Sequence, residues 1–189
     1  MKEDKRYIDT ENKIRKSFMK IIKKDGFQKT SVSAIIKDAK INRSTFYLHY
    51  TDKYALLASI EKDIFDEIQE IIEHFFKENN SINFIELMKM IAKYIEKNKD
   101  TFVLLNSSKG DLLFMKKYGD IIRNSVFKNK LADKIIDYKE EYMLSAYEGI
   151  IMNLFFTWIN RGFKENSDEY VNIVIELIQN IKNRTDLLE

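Results

Sequence analysis

Proline does not occur in this chain of 189 residues, and glycine occurs only five times. Proline removes a backbone donor and glycine weakens helix and strand interiors, so a chain poor in both favours long helices over turn-rich sheets. Apolar residues recur at intervals of three and four, and no segment shows the sustained alternation of a strand. The sequence therefore predicts an all-α fold of about nine helices.

Several classes of site are excluded by the same composition. There is no cysteine, which rules out disulfides and thiolate metal sites, and two histidines are too few for a histidine-built metal centre. We find no glycine-rich phosphate loop and no credible pair of nucleophile and base, so we reject an enzyme. No apolar run reaches about 18 residues and no secretory signal opens the chain, which predicts a cytoplasmic protein with no membrane span and no cofactor.

Charge is distributed unevenly along the chain. Residues 1–50 hold 13 Lys or Arg against 6 Asp or Glu, a net charge of +7, whereas the remainder holds 19 against 24, a net charge of −5. Such an asymmetry indicates a polyanion as the partner of the first segment. Chance clustering on a solvated surface explains the same numbers, so charge alone does not decide between the two.

Three short helices are predicted within this basic segment. Apolar residues share one face of a helix over residues 10–24, and Gly26 can take the left-handed turn that ends it. A second helix spans about residues 31–39, and Asn42 can cap a third, short one. A tight turn between the second and third helices is the helix-turn-helix pattern, and we assign it to a domain of residues 1–52.

The third helix has two different faces on a helical wheel. Phe46 and Tyr50 fall together on the side that can pack against the first two helices. The opposite face and its edges carry Arg43, Ser44, Thr45, Tyr47, Leu48 and His49. Guanidinium, hydroxyl, phenol, imidazole and aliphatic groups of this kind bind phosphates, base edges and thymine methyls. Lys53 opens the next helix, where the dipole disfavours a cation unless a phosphate lies nearby.

Three of these residues also have a simpler explanation. Plain packing explains Tyr47 or His49 taken singly, and solvation explains Lys53. The combination is what favours a nucleic-acid contact surface.

The run TSVSAIIKDAKINRSTFYLHYTDKYALL, residues 30–57, resembles the DNA-binding domain of the TetR family of bacterial transcriptional regulators. The resemblance covers roughly residues 10–57 and includes Phe-Tyr-x-x-Tyr at 46–50 and Asp-Lys-x-x-Leu at 52–56. The stretch YEGIIMNLFFTWINRGFKENSDEYVNIVIELI, residues 147–178, is similar to the C-terminal dimerisation region of a subgroup frequent in low-GC Gram-positive bacteria. Residues 53–189 would then be a helical effector-binding and dimerisation domain.

By position, the resemblance implies a role for each residue of the predicted DNA surface. Base edges would be faced by Arg43, Ser44 and Thr45, with Leu48 as an apolar contact in the groove. Phosphates would be held by Tyr47, His49 and Lys53, helped by Thr30, Ser31 and Ser33. One departure is Lys40, which stands in a turn where glycine is usual; a positive φ there would cost about 1 kcal/mol.

A single helix-turn-helix reads one half-site, so we expect a two-fold homodimer with its recognition helices about 34–36 Å apart. The last two long helices can supply the dimer surface as half of a four-helix bundle, through Ala146, Gly149, Ile150, Leu154, Trp158, Val171, Val174, Ile175 and Ile178. The resemblance also implies an effector pocket between the fourth and eighth helices, where the candidates are Phe65, Met88, Tyr94, Phe102, Phe114, Tyr118, Tyr142 and Met143. For every member of both sets, burial in an ordinary core is the alternative.

The predicted function is that of a dimeric TetR-type repressor, which binds a palindromic operator in double-stranded DNA and is released by an unidentified small-molecule effector. The alternative is a protein of the same fold that acts as a coactivator through a protein partner. The intact contact face of the third helix and the net charge of the first segment favour the repressor.

Overall fold

The computed structural model describes residues 2–78, 83–107, 110, 113–131 and 138–185. Within these ranges the regular elements are nine helices, so the predicted all-α fold is confirmed. The helices are α1 (Lys2–Asp25), α2 (Val32–Ala39), α3 (Arg43–His49), α4 (Lys53–Glu78), α5 (Phe84–Lys97), α6 (Lys99–Asn106), α7 (Phe114–Leu131), α8 (Tyr138–Asn160) and α9 (Ser167–Thr185). No helix in the described part of the chain is long and apolar enough to cross a membrane.

The chain divides into two compact units. The first comprises Met1–Asp66 and Leu104–Phe114, and the second comprises Glu67–Val103 and Met115–Glu189. The functional division into residues 1–52 and 53–189 stays a prediction.

The core of the first unit is built by the apolar faces of its short helices. Ile14, Phe18 and Ile22 of α1 are fully buried at intervals of four residues, as their spacing predicts. Ile35 of α2 and Phe46 of α3 are also fully buried, and α2 packs against both α1 and α3. Burying a side chain of this size stabilises the fold by about 1.5–3 kcal/mol, which holds the three helices together.

Helix α1 begins at Lys2, whereas the predicted helix begins at residue 10. The sequence before residue 10 lacks the apolar repeat that marks the rest of the helix. In the structure, the ring of Tyr7 stacks on the ring of His49 in α3, with 3.9 Å between the ring centroids. This aromatic contact with another helix supports the first turns of α1, and no local pattern reveals it.

Two residues in left-handed conformation end α1 and α2. Gly26 has φ +83° and its N–H donates to the carbonyl of Ile22, which confirms the predicted end of α1. Lys40 follows α2 with φ 54° and ψ 47°, and its N–H donates to the carbonyls of Ile36 and Lys37. The turn therefore does place a lysine in the region that favours glycine.

In the second unit, α9 packs against α5 and α8. Trp158 of α8 is buried and stacks on Tyr170 of α9, with ring centroids 4.2 Å apart, and its indole N–H donates to the carbonyl of Glu165. The apolar spacing of residues 132–162 predicts one long helix; α8 accounts for Tyr138–Asn160 of it, and residues 132–137 lie outside the described ranges.

Candidate nucleic-acid interface and apolar cavity

Two buried aromatic rings anchor α3 in the first unit. Phe46 is 0% exposed and Tyr50 is 7% exposed, so the predicted inward side of the helix is confirmed. Leu48, by contrast, is 77% exposed and Tyr47 is 45% exposed. An exposed leucine side chain contributes no burial energy to the fold. The Leu48 side chain is therefore available for an apolar contact with a partner.

Arg43 and Tyr47 support one another on the outer side of α3. A terminal nitrogen of the Arg43 guanidinium donates to the Tyr47 hydroxyl at 3.3 Å, and the guanidinium carbon lies 5.5 Å from the centre of the Tyr47 ring. Ser44 is exposed and Thr45 is half-buried beside them. The structure thus brings five of the predicted DNA-contacting residues to one surface: Arg43, Ser44, Thr45, Tyr47 and Leu48.

His49 occupies a different position, at the side of α3 that faces α1. Its ring stacks on Tyr7, and its Nδ1 is buried without a hydrogen-bond partner among the described residues. Burial lowers the pKa of His49, which the nearby carboxylate of Glu11 only partly offsets. The imidazole is therefore half-buried and tends to stay neutral, which sets it apart from the open surface.

The three hydroxyl groups near the start of α2 that were predicted to contact DNA differ in their exposure. Thr30 is 2% exposed and its hydroxyl donates to the Gly26 carbonyl at 2.9 Å, so the structure does not bring it to the surface. Ser31 is exposed and caps α2 by accepting from the N–H of Ala34. Ser33 is exposed in the first turn. The internal bond of Thr30 satisfies a carbonyl at the end of α1, and this structural demand explains its burial.

Lys53 lies at the start of α4, and its ammonium group reaches back to the turn between α1 and α2. It donates to the carbonyls of Phe27, Gln28 and Thr30 at 2.9–3.0 Å. An ammonium group has three protons, so all three are used within the chain. These bonds offer a reason for a cation in this first turn other than the expected phosphate, and a phosphate contact by Lys53 stays a prediction.

A polar network fixes the C-terminal end of α3. The Tyr50 hydroxyl donates to the Glu11 carboxylate at 2.7 Å and accepts from Nε of Arg15 at 3.0 Å. The same guanidinium donates to the Ser59 hydroxyl at 2.7 Å and forms an ion pair with Asp63 of α4. The sequence pattern alone does not reveal this network; its one local signal is that Ser59 and Asp63 stand four residues apart on α4 and thus share one face.

The second unit encloses an apolar cavity of about 440 Å³. Among the described residues that line it, the charged ones are Arg123 and Glu148, which form an ion pair at 2.5 Å. The remainder of its lining is Phe84, Leu87, Met88, Ile91, Ala92, Ile95, Tyr118, Ile122, Tyr147, Ile151, Met152, Phe155, Tyr170 and Ile178. A cavity of this size and character is suited to a small, largely apolar molecule.

Of the eight predicted pocket residues, Met88 and Tyr118 line this cavity. Burial raises the pKa of Tyr118, whose hydroxyl therefore stays neutral. The other six lie elsewhere: Phe65 stacks on Phe114 in the first unit, Phe102 is buried core, Tyr94 is half-buried, and Tyr142 and Met143 are exposed on α8. Aromatic and methionine side chains suit a core, a surface and a pocket equally well, which explains why these six residues occupy such different positions.

The predicted dimer residues divide in a similar way. Trp158, Val171 and Val174 are buried inside the second unit and Ile178 lines the cavity, so these four side chains are used within the chain. The remaining five lie at or near the surface: Ala146 and Gly149 are exposed, and Ile150, Leu154 and Ile175 are half-buried. Tyr138 and Tyr142, 68% and 77% exposed, extend this surface along α8.

Comparisons with known proteins agree with this arrangement. Residues 83–180 match a family described as "Transcriptional regulator C-terminal region", and residues 16–60 match one described as "Bacterial regulatory proteins, tetR family". No match was found among curated protein sequences.

Solved structures with a similar fold include a TetR transcriptional regulator from Streptococcus agalactiae 2603V. It is 22% identical with a TM-score of 0.67, and the match covers 94% of this chain and 98% of that one. The fatty acid degradation regulator FadR from Bacillus halodurans is 15% identical with a TM-score of 0.62, covering 89% and 93%. The dihydroxyacetone kinase operon activator DhaS is 18% identical with a TM-score of 0.58, covering 91% and 95%. At these identities the likeness concerns the fold.

Proposed function

Because the chain belongs to the TetR family of bacterial regulatory proteins, we propose that it is a dimeric cytoplasmic repressor that binds a palindromic operator and releases it when a small molecule binds. The family and the fold are those of transcriptional regulators. Beyond the family, three parts of the molecule are assigned a role: a surface that reads DNA, a surface that pairs two chains, and a cavity that receives the effector.

The outer side of α3 is the observation that carries the proposal. Its rings at Phe46 and Tyr50 are buried while Leu48 and Tyr47 project outward. Arg43 and Thr45 would read base edges, because guanidinium and hydroxyl groups donate to the acceptors that bases present in the major groove. The network around Tyr50 would keep this side of α3 in a fixed orientation when DNA binds.

The exposed side of α8 is the proposed dimer surface. Tyr142, Ala146 and Gly149 share it, and a Cβ placed on Gly149 would meet no atom of the described residues within 4 Å. Glycine inside a helix is destabilising by about 0.5–1 kcal/mol relative to alanine, and no described neighbour requires it here. Close approach by α8 of a second copy would account for the glycine.

The apolar cavity of the second unit is the proposed effector site. Its walls favour a ligand with a hydrocarbon body. Arg123 could release Glu148 and bind a polar group at one end of that ligand instead. A relative in fold, FadR, is named for fatty acid degradation. We expect straight-chain carboxylic acids to bind in calorimetric titrations, and we expect Ile151→Trp, which fills the cavity, to abolish that heat. Binding that survives this substitution would place the effector elsewhere.

Selection of bound sequences from random duplex DNA tests the proposal. We expect a two-fold symmetric consensus, loss of affinity in Arg43→Ala and relaxed base preference in Thr45→Ala. Sedimentation should show a dimer. A chain that ignores all duplexes at low salt yet retains a protein partner would instead favour the coactivator, and DhaS, a relative in fold, is named an operon activator.

A further inference from the structure

A second concave surface lies in the first unit, beside the start of α3. It is a groove of about 500 Å³ between the first half of α1 and the turn that joins α2 to α3. Its cations are Lys5, Arg6 and Lys13 of α1 and Lys40 of the turn, and its one carboxylate among the described lining residues is Asp9. The lining therefore has a formal charge of +3, and Thr10, Asn42 and Thr45 add polar groups to it.

The α1 side of the groove lies ahead of the region that matches the family. The match to the TetR-family DNA-binding region begins at residue 16, so Lys5, Arg6 and Lys13 precede it. Two contacts hold this part of α1 against α3: the ring of Tyr7 stacks on His49, and the Glu11 carboxylate accepts from the Tyr50 hydroxyl. The cations are thus carried by a helix whose position is fixed relative to the recognition surface.

Lys40 supplies an independent observation. Its φ of 54° lies in the region where glycine is favoured, so a lysine at this position carries backbone strain. Lys40 belongs to the groove lining. A function for that charge would account for a residue that local conformation alone disfavours.

We propose that this groove binds a backbone phosphate of DNA next to the operator half-site that α3 reads. The inference rests on the proposed function, since it adds a contact to the same DNA complex. Arginine and lysine in a concave surface are the groups that hold phosphate oxygens, and they fix register without reading sequence. Thr45 belongs both to the groove and to the reading side of α3, so the phosphate would lie beside the bases being read.

The test is the salt dependence of operator binding. The double variant Arg6→Gln with Lys13→Gln is titrated against the selected duplex between 50 and 200 mM salt. For each phosphate that the variant no longer neutralises, the slope of log K against log salt becomes less steep by about 0.9. Over this fourfold range of salt, the loss of affinity then becomes about 3.5-fold smaller for each phosphate. Base preference should not change. The matched control is Lys97→Gln with Lys116→Gln, which removes two exposed charges from the second unit.

Four outcomes are distinguishable. A lower slope in the groove variant and an unchanged slope in the control support the groove. Equal slopes in wild type, groove variant and control overturn it, while a loss of affinity in Arg43→Ala would still uphold the proposed function. Equal reductions of the slope in groove variant and control also overturn it, because net charge alone would then explain the effect. A wild-type chain that binds no duplex overturns both.

Discussion

Replacing Lys40 by glycine should make the protein more stable and make it bind DNA less tightly. A residue with a Cβ costs about 1–2 kcal/mol in the left-handed region that Lys40 occupies, and glycine there does not. Glycine also loses more backbone freedom on folding, which offsets about 0.4–1 kcal/mol. The expected net gain is on the order of 0.5–1 kcal/mol, or about 1–4 °C in Tm for a chain of this length.

Lys40→Ala is the control for this prediction. It removes the same ammonium group from the groove but keeps a Cβ in the left-handed region, so it should not gain the stability of the glycine variant. Urea unfolding followed by circular dichroism measures both variants, and an unchanged m value is required for the comparison. On operator DNA the two variants should behave alike, each lowering the salt slope by about 0.9.

Two results would refute the reasoning. If the glycine variant is no more stable than the alanine variant, the strain attributed to φ 54° is absent or is relieved by the hydrogen bonds of the Lys40 N–H. If both variants keep the wild-type salt slope, the ammonium group of Lys40 does not reach a phosphate.

Three further predictions concern contacts already described. Lys53→Met should lower the unfolding free energy by on the order of 2 kcal/mol in urea titrations, because three carbonyls lose a charged donor; an unchanged midpoint would show that water replaces it. Burial lowers the pKa of His49, so the unfolded chain gains its proton first as pH falls below about 6.5 and stability falls with it; thermal melts of His49→Phe, which keeps a ring against Tyr7, should show a smaller fall. Gly149→Arg has open space within its own chain and should give a folded monomer in sedimentation; a dimer would move the interface away from α8.

The helix-turn-helix was predictable because local signals determine it. Apolar spacing places Ile14, Phe18 and Ile22 on one face, and Gly26 occupies the left-handed turn that its sequence position indicates. The two rings of α3 follow from the same periodicity. These features depend on residues only a few positions apart, so a single sequence contains all the information required.

The cavity and the extension of α1 depend on contacts between distant residues. Phe102 and Met88 both suit an apolar environment, yet Phe102 fills the core and Met88 borders empty space. Likewise, Tyr7 supports the start of α1 only because His49, forty-two positions later, meets its ring. The local spacing of apolar residues predicts neither outcome, because each depends on how much space the packed helices leave between them.

The stack of Trp158 on Tyr170 gives the protein a built-in optical reporter. Trp158 is the sole tryptophan of the chain, and two of the rings beside it, Tyr170 and Phe155, border the cavity. A molecule entering the cavity would press on those neighbours and alter the indole emission. Occupancy by a ligand could therefore be followed in the unlabelled protein.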